Sequence, residues 1–372
     1  MFSKSYVFIM QQINALSSRI RHTAIAAAVF LLVFSIYMLS SNTHLSDSLW
    51  AVHVTSSLLN AGDIDLDEYA QIVEEADFYG VHNKTVNERL LPSYPIGNSI
   101  LIIPLLWVIE QFKQFPDQQT FYEFLQQTSP RDPYVVSLQH LFASLLTALI
   151  APIFYFIGRN QYGGIAVPII FALIFALGTS AYSTASRVLW QHGPSMLMLA
   201  IGLLFLIKGK DNPRYIQLAG LPIALSYVVR PTNSISIIVF TAFVLFFHRK
   251  QLWGYLLSAA IVAIPFVWLN QVVYGSLLQP YYMPGRIGST PSFSEALIGN
   301  LISPARGIFI FMPVLIFSLY GIYLKIKDDR FLPLDFALVI IIFLHWITIS
   351  LNPSWWGGNS YGPRLFYMYC PI

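Results

Sequence analysis

The chain has 372 residues, of which 56% are apolar or aromatic and only 10% are charged, with a mean hydropathy of +0.60 and a formal net charge of +3. Soluble proteins carry about 25% charged residues, so a water-soluble globule and a disordered chain are both excluded, and the composition is that of a polytopic membrane protein with room for roughly ten spans. The single cysteine, Cys370, excludes a disulfide framework and a cysteine metal site, and the small net charge without a basic aromatic patch excludes nucleic acid as a partner.

In chain order, residues 1–22 carry Lys4, Arg19 and Arg21 and precede an apolar run over 23–40. The basic flank reads as a cytoplasmic N-terminus and the run as an uncleaved first span. A cleaved signal peptide is the other reading of such a start. Ser40-Ser41-Asn42 is a poor cleavage site for it.

Segment 41–134 follows. It holds 13 of the 18 acidic residues and only four of the 21 basic ones, giving it a net charge of −9 against +12 for the rest. Inside it, 96–109 is apolar, starts after Tyr94-Pro95 and contains Pro104. At 1.5 Å per residue it reaches only ~21 Å, short of the ~30 Å hydrocarbon core. It reads as an interfacial or re-entrant helix, with an ordinary short span as the alternative.

Further apolar runs lie at 135–157, 164–182, 189–207, 215–229, 233–247, 252–270, 307–324 and 332–351, and a last one begins at Leu365 and is cut off at Ile372. The connections 208–214, 248–250 and 325–330 are short and basic, which places them in the cytoplasm and places 41–134 outside. The runs are apolar all round rather than alternating, so the expected fold is an all-α transmembrane domain over 23–372 and not a β-barrel. There is no internal repeat.

Chemistry concentrates on the outer side. Asp47, in Leu45-Ser46-Asp47-Ser48-Leu49-Trp50, lies just beyond the first span. Such a carboxylate suits a general base at headgroup depth, and it equally suits the N-cap of a helix over 49–59. In Gly62-Asp63-Ile64-Asp65-Leu66-Asp67-Glu68-Tyr69, the Asp residues at every second position would share one side of an extended segment. Asp65 and Asp67 then become oxygen ligands for a divalent cation, or simply part of a solvated acidic turn.

Arg187, Arg230, Arg286, Arg306 and Arg364 all fall on the outer face by this sidedness, each at a span edge beside Gly, Pro or Ser. Guanidinium binds phosphate in a bidentate way, so their convergence would make an anion pocket. Snorkelling to lipid phosphates is the other reading. Trp355 and Trp356 precede Arg364, and Tyr274, Tyr281 and Tyr282 precede Arg286. Such aromatics form interface belts or stack on sugar faces. His192 sits at an outer helix entrance.

The order of these motifs resembles the integral-membrane glycosyltransferases of superfamily C, and within them the bacterial branch of protein O-mannosyltransferases and lipid A aminoarabinose transferase. It runs through the early Asp47, Tyr94-Pro95-Ile96-Gly97, Leu177-Gly178-Thr179-Ser180 with Arg187 and His192, Val229-Arg230-Pro231-Thr232, Ser303-Pro304-Ala305-Arg306-Gly307 and Trp355-Trp356-Gly357-Gly358-Asn359-Ser360-Tyr361-Gly362-Pro363-Arg364.

The resemblance implies a polyprenyl-phosphate sugar donor, transfer on the extracytoplasmic face of a bacterial inner membrane, and a catalytic Asp in the first outer loop. Asp47 matches that Asp. Asp65, Asp67 and Glu68 are the second acidic candidates. Arg187, His192, Arg230, Arg306, Arg364, Tyr94, Trp355 and Trp356 are the expected substrate and phosphate contacts. Two departures stand out: Ser48 follows Asp47 where relatives carry a second acid, and the relatives continue past the core with a soluble domain or extra spans.

The expected reaction is an inverting transfer to a glycolipid, lipopolysaccharide or protein, without a required metal. A lipid-linked sugar flippase and a non-catalytic, truncated relative are the rival readings. The oligomeric state is not legible.

Overall fold

Phe2–Met38 form one unbroken helix, α1, whose stretch Leu16–Met38 is long and apolar enough to cross a membrane. The computed structural model describes residues 2–41, 46–82, 88–112, 119–283, 292–357 and 362. Segment 41–134 carries short elements: α2 (Ala51–Asn60), α3 (Ala70–Glu75), the antiparallel pair β1 (Val81–His82) and β2 (Leu91–Pro92), α4 (Gly97–Phe112) and α5 (Phe121–Leu125). Thr120 and Glu123 close a capping box on α5, and Asp132 accepts from the Tyr134 N–H to start the next helix, with Pro133 at its first position.

The remainder is helical: α6 (Pro133–Ala148), α7 (Ile150–Tyr162), α8 (Ala166–Gly178), α9 (His192–Lys208), α10 (Arg214–Val229), α11 (Ser234–Phe247), α12 (Leu252–Tyr274), α13 (Phe293–Ile302), α14 (Ile308–Phe311), α15 (Leu315–Lys327) and α16 (Pro333–Ser350). The protein is therefore nearly all-α. Among the described residues, four stretches are long and apolar enough to cross a membrane: Leu16–Met38, Pro133–Tyr162, Arg249–Tyr274 and Pro333–Ser350. The other apolar helices are shorter.

On α12, Trp253, Leu257, Ile261, Ile264 and Trp268 are all exposed. A soluble protein avoids so continuous an apolar face, whereas lipid solvates it.

Two expectations change. The run 307–324 is not one helix: α14 ends at Phe311, and α15 begins at Leu315 beyond Met312-Pro313-Val314. Proline has no N–H to continue the ladder. The short helix α13 was also not anticipated, because ten residues of mixed polarity give a weak periodic signal.

Helix α9 is the hub. It is buried along most of its length and packs against α6, α7 and α10, and α10 packs in turn against α12. Glycines let these backbones approach. A Cβ on Gly202 would meet Ile223, one on Gly209 would meet Ile216, and one on Gly220 would fall inside the Tyr255 carbonyl oxygen of α12. Such small-residue seams drive helix association where no hydrophobic effect operates between helices. Gly220→Leu is expected to destabilise the protein by roughly 1–3 kcal/mol or more, since backbone cannot move aside as a side chain can. Thermal unfolding in detergent tests this, and an unchanged melting temperature refutes it.

Candidate functional site

Asp47 sits in the turn over 46–50, where the Leu49 N–H bonds the Ser46 carbonyl and the Ala51 N–H bonds the Ser48 carbonyl. Helix α2 begins only at Ala51, and its cap position is held by Trp50, without a side-chain bond. Asp47 is thus not the N-cap. It lines a cleft with Trp50, Ala51, Val54, Gly80, Pro92, Tyr94, Pro95, Ile96, Asn98 and Ser99. The cleft contains about 320 Å³ of empty space, part of it open to solvent.

Helices α2 and α4 build this cleft, and both start at it. The Ser99 hydroxyl donates to the Ala51 carbonyl at 3.0 Å, and the Thr55 hydroxyl donates to the Ser99 carbonyl at 3.2 Å. These bonds hold the two first turns side by side. The N-terminal ends of both helices therefore border the cleft, a surrounding that favours an anionic group. Trp50 Nε1 donates to the Tyr79 carbonyl at 2.8 Å, and Gln279 Nε2 donates to the Pro92 carbonyl at 3.0 Å, fixing the walls.

The first turn of α4 also touches the helical core. Gly97 packs on Val229, where an added Cβ would come within 2.5 Å of its Cα. Asn98 Nδ2 donates to the Leu189 carbonyl at 2.8 Å. Arg230 and His192 follow these two contacts by one and three residues.

Arg230 precedes Pro231, which forces it out of the helix into extended backbone, with φ −150° and ψ 119°. Its side chain is buried and hydrogen-bonds to His192 Nδ1. His345 on α16 lies within reach of the Arg230 charge. Three residues on, Asn233 Nδ2 donates to Ser195 Oγ at 2.5 Å, repeating the same join between the α10–α11 corner and the start of α9.

The other expected residues stand elsewhere. Arg187 donates to the Ser41 carbonyl at 2.9 Å and lies over the Tyr182 ring, so it ties down the end of α1. Arg306 donates to the Gly362 carbonyl at 3.2 Å. Trp355 is buried against Gly299 of α13, while Trp356 is 46% exposed. None of these four lines the Asp47 cleft, and neither do Arg230 and His192; of the expected substrate contacts among the described residues, Tyr94 does. Arg286 and Arg364 lie outside the described residues.

The acidic run does not keep its alternation. A 3-10 turn begins at Asp67, whose carboxylate accepts the Leu90 N–H at 2.8 Å. Glu68 replaces Asp67 in the group: oxygens of Asp63, Asp65 and Glu68 lie within 4.8 Å of one another. Asp65 pairs with Arg89 at 2.8 Å, and Glu68 accepts from Ser57. Burial, reinforced by the neighbouring carboxylates, raises the pKa of both Asp63 and Asp65.

His53, in the first turn of α2, is wholly buried. It is edge-on to Trp50 and Tyr69, and its Nε2–H donates to the Thr128 carbonyl at 3.1 Å. Burial lowers its pKa from 6.5 to about 4. The unfolded imidazole therefore takes up a proton first, and stability is lost as pH falls from 6.5 towards about 4, by up to roughly 3 kcal/mol. Thermal melts across that range should decline for the wild type and flatten for His53→Gln. Parallel pH profiles would rule this origin out.

Sequence reasoning did not single out Asn98, His53, Asn233 or Ser195. The available signal was a polar group set into an otherwise apolar helix, as in Gly97-Asn98-Ser99. Comparison with known protein families, curated proteins and solved structures found no match.

Proposed function

We propose that the protein is a membrane glycosyltransferase that moves a sugar from a polyprenyl-phosphate donor to an acceptor on the outer face of a bacterial inner membrane. The observation that carries this reading is the first turn of α4. It forms a wall of the Asp47 cleft and packs directly on the residues leading into Arg230 and His192. A base for the acceptor and a cation for the leaving phosphate are thereby linked through one short element.

In the proposed step Asp47 takes the proton of an acceptor hydroxyl, whose oxygen attacks the anomeric carbon from the face opposite the phosphate. The bond to the phosphate oxygen breaks, and Arg230 stabilises the departing polyprenyl phosphate. The configuration inverts. About ten spans, completed by the shorter apolar helices, would embed this site at the outer boundary. Helix α4, with 16 residues and ~24 Å of length, lies there as a re-entrant or interfacial element beside the lipid tail. The acceptor is a glycolipid, lipopolysaccharide or protein.

Arginine neutralises the phosphate in this scheme, so dialysis against EDTA is expected to leave the rate unchanged. A loss restored by a divalent cation would instead bring Asp63, Asp65 and Glu68 into the reaction. The deciding assay gives purified protein polyprenyl-phosphate sugars and follows release of free polyprenyl phosphate. Sugar-lipid crossing the bilayer without that release identifies a flippase and refutes the transferase.

A further inference from the structure

Asn98 is 3% exposed, and its amide is oriented by the Leu189 carbonyl, which only Nδ2 can approach as a donor. The other corner of the amide, Oδ1, is buried without a hydrogen-bond partner. An unmet buried acceptor of this kind is costly, and native proteins keep few of them. This one belongs to a residue lining the Asp47 cleft. It also stands on the element that joins the cleft to the Arg230–His192 corner.

Resting on the transferase reading, the transferred sugar would occupy the Asp47 cleft, whose lining includes Asn98. We propose that Asn98 Oδ1 reads a hydroxyl or N–H donor on the ring of the transferred sugar. Its oxygen accepts that donor, and the Leu189 bond prevents the amide from flipping to present its NH2 instead. Donors with the group at that ring position are selected over those lacking it. Sites built to bind a substrate hydroxyl reject the analogue without it far more strongly than apolar pockets reject an extra methylene.

The test measures binding and transfer of polyprenyl-phosphate glucose, mannose, galactose and N-acetylglucosamine, each with its monodeoxy analogues. Wild type should prefer one parent over one of its deoxy analogues by at least ~10²-fold in kcat/KM, within the range set by such sites. Asn98→Ala and the milder Asn98→Ser should lose most of that preference, while the other deoxy analogues respond as in wild type.

Two results overturn the proposal: a wild type indifferent to every ring hydroxyl, or Asn98 variants that slow parent and analogues alike. The second outcome would mean that Asn98 serves only the Leu189 contact. Discrimination in binding without any transfer supports Asn98 while refuting the transferase. Transfer with discrimination unaltered in the variants does the reverse.

Discussion

On the proposed transferase reading, an Asp47→Asn protein is expected to bind a polyprenyl-phosphate sugar and to transfer it about 10²- to 10⁴-fold more slowly, the usual contribution of a positioned general base. The substitution is nearly isosteric. Asp47 lies in the turn ahead of α2, whose cap position is held by Trp50. Melting temperature should therefore change little. The loss should sit in kcat, because proton removal occurs in the transition state and not on binding. A folded Asp47→Asn protein with wild-type kcat removes Asp47 from the base role. The next residues to test would be Asp65 and Glu68, which hold Arg89 and Ser57.

The second large effect belongs to Arg230. Arg230→Gln should lower kcat by about 10²- to 10³-fold, the scale of losing one preorganised donor to a developing oxyanion. Arg230→Lys keeps the charge but not the planar fork, and should fall between the two. Here the fold is more exposed to the change, since the side chain is buried and bonded to His192. Comparing Arg230→Gln with His192→Ala separates the contributions. If phosphate stabilisation is the role, only the arginine change should worsen with poorer leaving groups. A uniform slowing for all leaving groups argues for a structural joint and against a phosphate clamp.

The helices of this chain were readable because spans impose a simple demand: every backbone group must bond within the segment, and the outside must be apolar. The apolar runs at 189–207, 215–229 and 252–270 accordingly match α9, α10 and α12 to within a few residues. Readability fails where a local rule interrupts that demand. Pro313 divides one expected span, and the turn at Asp67 ends the alternation of the acidic run and substitutes Glu68.

The candidate site was half legible. Asp47, Tyr94, His192 and Arg230 stand out as polar residues at span edges. Asn98 does not, because its importance lies in a bond to Leu189 across 91 residues of chain, which no spacing encodes.

The glycine seam of α9, α10 and α12 has a genetic consequence. No residue is smaller than glycine, so every substitution at Gly202, Gly209 or Gly220 adds atoms and cannot be undone by trimming the position itself. Compensation has to come from the neighbour. For Gly202 and Gly209 the neighbour is an isoleucine side chain, Ile223 or Ile216, which can shrink to valine or alanine. For Gly220 it is the Tyr255 main-chain oxygen, which no codon change removes. A suppressor screen should thus recover second-site revertants at Ile223 and Ile216 for the first two positions, and for Gly220 only reversion to glycine.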